Sequence, residues 1–510
     1  MILVWAGQLV TGHDAPALQN GAVAVSGQEI IDIGPYQDLA LRYPKAKVIG
    51  DERFLLIPGL INGHGHGRGL TPFQRGVKDD ALEKWVWDTR TLTPIPTYDN
   101  ITLSALKLLK CGVTTTMHNH LPVGSGSGEE EWTEALEAYK DSGIRVFFCP
   151  AVRNDNPLVY GDNESFARSL PQELHELVSS TLLAGALTGG DYIQMVRHLH
   201  RTYDSPMTRI GFGPLAPQWC TQELLLQVKQ EATRLGTPLH LHTLETIHQK
   251  IYSLKYLGKT LIESLKDMDL LGPGVVLGHC VWPTQEEIQL LAHSSTGVTH
   301  HPSSNLRLRA GVSPVFHMLQ SGVLVGLGVD GTGINDDDDM IQEMKLCYLL
   351  HRIPSLELDS PHLEARQVFR MATENNATLL GFGRELGRIE PGAWADMVLL
   401  DYEKMCSTYV DPSHDTVDVL LYRCKGSHVH TVMVNGRIVV DKGKVLTLNE
   451  EEIGERLNGA VSRPKTETEQ ALTKDLNALK QQVVGYYKGW SEKVETKPYF
   501  AINSRINGLK

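Results

Sequence analysis

Paired cysteines are missing from this chain. Its seven cysteines, at 111, 149, 220, 280, 347, 406 and 424, are scattered and never spaced C-x-x-C, which excludes a four-cysteine zinc knuckle and argues against a disulfide framework. Reduced, buried thiols are expected. A long cluster of lysine and arginine is also absent, and the formal net charge is −12, so the chain lacks the basic face that phosphate backbones require. The expected partner is a small molecule, with no nucleic acid. No window holds about 18 uninterrupted apolar residues. The first residues, Met1 to Gly7, lack the basic start and apolar stretch of a secretory signal. A cytoplasmic protein without a membrane partner is the expectation. No internal repeat or low-complexity tract occurs.

What is present is an ordinary globular composition, 41% hydrophobic and 21% charged over 510 residues, long enough for one large enzyme domain and a smaller appendage. From about Phe54 to Gly331 a short apolar run ending in polar or histidine-bearing residues alternates with helical stretches. The runs are Phe54 to Ile61, Val113 to Met117, Ile144 to Val152, Arg209 to Leu215, Thr237 to His242, Gly274 to His279, Thr296 to His300 and Val323 to Val329. Helices are predicted between most of them, at Asn100 to Lys110, Glu129 to Asp141, Glu223 to Leu235, Glu286 to His293 and Pro314 to Ser321. Eight β-then-α units predict an α/β fold, a (β/α)8 TIM-like barrel, over residues 58–391. The segments 1–57 and 392–449 alternate like short strands, with a hairpin signal at Asn435-Gly436, and are expected to meet as a small composite β-sandwich. Residues 450–510 read as a helical extension, through Glu469 to Trp490, with a Pro- and Asn-containing tail.

His64, His66, His120, Arg153, His242, His279, His301 and Asp330 all fall at or just past the C-terminal end of a predicted strand, where barrel enzymes keep their sites. In Pro58-Gly59-Leu60-Ile61-Asn62-Gly63-His64-Gly65-His66 a strand runs into H-x-H, and residues two apart in extended chain point the same way, so both imidazoles can reach one ion. His242 is followed three residues later by Glu245. His279 and Asp330 are each a lone polar residue ending an apolar strand, and an isolated buried aspartate is costly unless it is paired or bound to metal. His428-x-His430 reads as a surface pair, His240 and His118 as packing residues, and Asp336 to Asp339 as a solvated loop start and helix N-terminus, since its spacing does not fit a calcium loop.

The strings PGLINGHGH, HLHTLET, LGHC and GVDG, in this order, resemble the amidohydrolase superfamily, as do His300 to Asn305 and Arg388 to Asp396. The resemblance runs to about Leu448 and lies with the branch of S-adenosylhomocysteine and guanine deaminases and triazine hydrolases. It implies that His64, His66, His242 and Asp330 hold a divalent ion, zinc before iron, with Glu245, His279 and Asp330 catalytic and Glu245 the proton shuttle. Binuclear relatives add a carboxylated lysine at a middle strand end; between Leu121 and His240 this chain has only Lys140 and Lys229, both in predicted helices, so one ion is expected. Gln74, Glu83 and Trp85 follow the H-x-H in a stretch that resembles the first active-site loop. With His120, Arg153, Gln218, Trp219, His301 and Asn305 they are the candidate substrate contacts. Relatives acting on S-adenosylhomocysteine carry His after Gly-Pro, where this chain has Leu215, and Asn where it has His301. The implied reaction is hydrolytic deamination of an amino-substituted purine, pterin, pyrimidine or triazine. Hydrolysis of an amide, carbamate or carbon–halogen bond at the same ion stays open, as does a non-catalytic binding protein on the same scaffold. Homo-oligomerisation is implied by the resemblance alone.

Overall fold

Apolar alternation resolves into two kinds of sheet in the computed structural model, which describes residues 1–122, 128–179, 187–352 and 357–493. In chain order, β1 (Ile2–Leu9), β2 (Leu18–Ser26), β3 (Glu29–Pro35) and β4 (Lys47–Pro58) come first. The central strands are β5 (Leu60–Asn62), β6 (Val113–His120), β7 (Arg145–Val152), β8 (Thr208–Ile210), β9 (Gly213–Pro214), β10 (Leu239–Thr243), β11 (Val275–His279), β12 (Gly297–His300) and β13 (Val325–Leu327). The last are β14 (Met397–Asp401), β15 (Val429–Val434), β16 (Arg437–Asp441) and β17 (Lys444–Val445).

The central strands form two parallel arcs, β5-β6-β7-β8 with β9 on β7, and β10-β11-β12-β13. Main-chain bonds cross both gaps between the arcs. At one, Gly63 N donates to Leu327 O (2.9 Å) and Asp330 N to His64 O (3.0 Å); at the other, His240 N donates to Phe212 O (2.9 Å) and His242 N to Leu215 O (3.1 Å). Helices return between strands, as in Thr97–Lys110, Gly128–Ser142, Gln222–Leu235 and Gln285–Ser294. The architecture is α/β and TIM-barrel-like. Local sequence explains the helices. Gln222–Leu235 starts at Thr221, whose side chain accepts from Leu224 N, buries Leu224, Leu225, Val228 and Ala232 on one stripe, and stops at Gly236 with φ +66°.

The run Phe54 to Ile61, read from sequence as one barrel strand, is divided between two sheets. Its first half closes β4, which pairs antiparallel with β14 from Met397↔Pro58 to Asp401↔Phe54, and its second half is β5. The switch falls at Gly59, where a Cβ would stand 2.2 Å from Thr114 Oγ1. Apolarity persists through the switch because both sheets are buried there, so periodicity could not mark it. Likewise the run Arg209 to Leu215 is split into β8 and β9. The β4–β14 pairing joins the N- and C-terminal segments in one eight-stranded ladder, β17-β16-β15-β14-β4-β1-β2-β3, and Asn435 and Gly436 turn the β15–β16 hairpin at φ +51° and +75°.

The central strands are tied to this sheet by a buried ion pair. Arg145, at the start of β7, is fully buried and donates to Asp396 Oδ1 at 2.8 Å; the same oxygen accepts from Asn435 N, and the guanidinium lies 4.3 Å over the Trp394 ring. Removing one partner leaves the other charge buried and unpaired. Asp396→Ala is expected to cost about 3–5 kcal/mol, read as a fall in the urea midpoint; a loss under about 1 kcal/mol would show that the pair does not brace the two layers.

The predicted C-terminal helix runs from Glu467 to Tyr487 after a shorter one, Glu450–Ser462. It buries Leu476, Leu479 and Val483 against Trp87 and Leu158. The Pro- and Asn-containing tail lies outside the described residues. Among the described residues no helix is long and apolar enough to cross a membrane.

Candidate metal centre

Five histidines and an aspartate converge where the strands end. His66 Nε2 stands 3.2 Å from Asp330 Oδ1, His64 Nε2 3.6 Å from the same oxygen, and His242 Nε2 3.3 Å from His66 Nε2. The sets His64, His66, His242 and His64, His279, His301, Asp330 each bring their ligand atoms within 4.8 Å of one another. The ring tautomers are set from behind: His66 Nδ1 lies 2.8 Å from Asn119 O and His242 Nδ1 2.7 Å from Leu215 O. A carbonyl only accepts, so each Nδ1 carries the hydrogen and each Nε2 presents a lone pair to the centre. Neither nitrogen of the fully buried His64 has a hydrogen-bond partner. Burial, reinforced by the neighbouring rings, holds His64 and His242 well below the ordinary imidazole range, and neutral imidazole is the form that binds metal. A donor set of bare imidazole nitrogens and one carboxylate fits a divalent ion.

The two carboxyls differ. Burial alone would raise Asp330, but the hydrogen bond and charge of His66, with His279 and His301, hold it well below the usual carboxylate range; Ser304 Oγ donates to its Oδ2 at 2.6 Å. Glu245 is pushed well above that range, first by burial, then by the charges of Asp330 and Glu83. Between them lies His279, whose Nε2 is 3.8 Å from Glu245 Oε2 and 4.0 Å from Asp330 Oδ2. Its Nδ1 is 2.9 Å from Asn305 Oδ1 and 3.2 Å from His301 Nδ1. Leu244, His279 and Asp330 take φ of +50°, +72° and +58°, a conformation that costs a non-glycine residue of order 1 kcal/mol and concentrates at functional sites. It turns the chain sharply at three strand ends.

The remaining sequence candidates scatter. His301 is stacked on His64 with centroids 4.4 Å apart, inside the centre, and Asn305 orients His279. His240 stacks behind His64 at 4.8 Å. His120 is engaged elsewhere, with His118 at 3.2 Å and Glu131 at 3.5 Å; β6 runs three residues further than predicted and carries both rings within it. Gln74 is exposed, and its Oε1 accepts from Thr71 N, closing its own turn. Trp85 is buried among Val77, Leu82 and Leu308, under the Arg68 guanidinium at 5.1 Å. Arg153 and Trp219 line a separate small chamber with Glu83, Arg90 and Tyr160, while Gln218 is fully buried. The acidic run is not a solvated loop: Asp338 and Asp339 are buried, Ser104 Oγ donates to Asp338, and Asp339 caps the helix Met340–Leu350. Burial raises Asp338 to about 6.

Sequence reasoning missed Ser304 and Arg68. Burial lowers the Arg68 guanidinium, while the charges of Asp330 and Glu245 act to raise it. Arg68 continues the alternation His64, His66, which could have marked it.

A sequence model described as "Amidohydrolase family" matches residues 55–439. A 5′-deoxyadenosine deaminase of Methanosarcina barkeri is 32% identical over 448 residues, 87% of this chain and 93% of that protein. A 5-methylthioadenosine/S-adenosylhomocysteine deaminase of Moorella thermoacetica is 31% identical, covering 86% of this chain and 94% of its own. Among solved structures, an adenosine deaminase from Xanthomonas campestris with bound zinc superimposes with a TM-score of 0.77 at 25% identity, over 90% of this chain and 97% of that one. With a family match over most of the chain and relatives this similar along nearly their whole length, the chain belongs to the amidohydrolase family.

Proposed function

We propose that this protein catalyses hydrolytic deamination of an amino-substituted purine, of the adenine nucleoside type that its relatives' names describe, with one zinc ion held by His64, His66, His242 and Asp330. The observation that carries this reading is the pair of carboxyls on either side of His279, 4.0 Å and 3.8 Å from its Nε2, with Asp330 held below the usual carboxylate range and Glu245 pushed above it, the arrangement of a base and an acid in a single site. We also infer that the two central arcs form one closed eight-stranded barrel, flanked by a composite β-domain from residues 1–57 and 392–449.

A divalent ion held by His64, His66, His242 and Asp330 would supply the Lewis acidity that makes water acidic enough to give up a proton near neutral pH. Asp330, held below the usual carboxylate range by His66, His279 and His301, takes one proton from the attacking water. With its Nδ1 hydrogen committed to Asn305, His279 presents the Nε2 lone pair that orients this water. Glu245 gives its proton to the ring nitrogen beside the reacting carbon, which removes the negative charge that addition of oxygen would otherwise leave there. As the adduct collapses, Glu245 recovers a proton from the new hydroxyl and Asp330 returns its own to the departing amine. The carbonyl product and ammonia leave, and both carboxyls are restored.

The test is ammonia release from zinc-loaded protein offered aminated purines, pterins, pyrimidines and triazines. Release confined to adenine nucleosides, abolished by a chelator and restored by zinc, is the expected result. Silence across the panel with metal bound would sink deamination and move the reading to amide, carbamate or carbon–halogen hydrolysis.

A further inference from the structure

A second group of metal-binding side chains lies next to the catalytic centre and shares no residue with it. His300 ends β12, and His301 follows. Neighbouring residues at a strand end face different ways: the His301 ring stacks on His64, whereas the His300 ring meets His351, Nε2 to Nε2 at 3.3 Å. His351 follows directly on the helix Met340–Leu350, whose last turn carries the buried Cys347. Residues four apart share one face of a helix, and His351 N donates to Cys347 O, so the thiol and the imidazole are presented together to His300.

His300, Cys347 and His351 each bring one ligand atom within 4.8 Å of the others. All three are buried, and none takes part in the deamination derived above. Among the described residues His300 Nδ1 has no hydrogen-bond partner, a costly state for a buried polar atom that belongs to no further interaction. One thiolate with two imidazoles is a donor set that suits zinc, with water as the fourth ligand. Zinc–nitrogen bonds of about 2.0–2.1 Å in a tetrahedron set two nitrogens about 3.3 Å apart, which is the spacing between the two rings. Burial brings His351 down to about 4 and pushes the Cys347 thiol up. The imidazole therefore offers a bare lone pair, and the thiol gives up its proton only as an ion enters.

We propose that His300, Cys347 and His351 form a second zinc site that clamps the end of β12 to the helix Met340–Leu350. The catalytic centre, with Asp330 held below the usual carboxylate range, has no thiol proton to expel, so protein given one equivalent of metal carries it there and the second site fills on the second equivalent. Helix ends fray, and opening the turn between Cys347 and His351 admits the ion. Once closed, the clamp stiffens the segment just beyond it, in which His301 stacks on His64, Ser304 donates to Asp330 and Asn305 orients His279.

Cobalt(II) is the probe, because a thiolate ligand adds a sulfur-to-cobalt charge-transfer band in the near ultraviolet that histidine and carboxylate ligands lack. Metal-free, full-length protein is titrated with cobalt. The band is expected to rise with the second equivalent to the intensity of one thiolate per chain, and to be absent from Cys347→Ala, which still binds the first equivalent. No band through two equivalents, or a band that survives in Cys347→Ala, overturns the site. Zinc gives a second reading that does not depend on replacing the cysteine. The second equivalent should raise the melting temperature of the wild-type protein further than the first alone, and this added rise should be missing in His351→Gln. An equal rise in that variant, or none in the wild type, overturns the clamp. Neither measurement uses turnover, so failure of the deaminase reading leaves both decisive.

Discussion

Glu245→Gln is expected to lower kcat/KM by about 10²–10⁴-fold, the range for removing a positioned general acid, while the metal content stays at one ion per chain. The side chain is buried, and its carboxyl is pushed above the usual carboxylate range by burial and by the charges of Asp330 and Glu83. Glutamine matches its shape, and the main-chain bond from Glu245 N to Gln249 Oε1 at 2.8 Å is untouched, so neither fold nor ligand set should change. An amide cannot release the proton that the ring nitrogen needs. Steady-state kinetics and metal analysis of the same preparation check this. A variant within tenfold of wild type would mean that another group, or solvent, delivers the proton. Loss of the ion together with activity would mean that Glu245 belongs to the coordination set.

Asp330 carries the larger effect, since it serves as base and as ligand. Asp330→Ala is expected to lower metal content below one ion per chain and turnover by at least roughly 10⁴-fold, because the loss of a group that acts as part of a unit disables the whole. It also strips the acceptor from Ser304 Oγ, 2.6 Å away. Asp330→Asn separates the two roles: its amide oxygen can still ligate and accept from Ser304, but it cannot take a proton from water, so metal retained with turnover lost is the expected pattern. An Asn variant with a tenth or more of wild-type activity would show that the base lies elsewhere, and His279, with its bare Nε2 4.0 Å from the carboxylate, would be the first candidate.

Much of the centre was legible in one dimension because strand geometry is local. His64 and His66 fall two apart in extended chain, and His242, His279 and Asp330 each end an apolar run, so strand alternation and the cost of isolated buried charge were enough to nominate them. Where a group acts through its neighbours, the sequence was silent. Nothing in the order of residues says that Asn305 sits 2.9 Å from His279 Nδ1, or that Trp85 is packed under Arg68 while Trp87, two residues on, faces the C-terminal helix. His120 is the last residue of β6, as the strand-end rule expects, but its ring meets His118 and Glu131, partners that the rule does not name.

Sequence by itself determined the alternation of strand and helix and the identity of the reactive groups, since periodicity, caps and side-chain chemistry are properties of short stretches. Tertiary structure decided the division of Phe54 to Ile61 between two sheets at Gly59, the opposite directions in which the proton affinities of Asp330 and Glu245 are shifted, and the return of residues 467–487 to pack on Trp87 and Leu158, far back along the chain. Each depends on what distant segments bring into contact, because burial and the charges within a few ångströms set a carboxyl's proton affinity, and neither is written in the residues beside it.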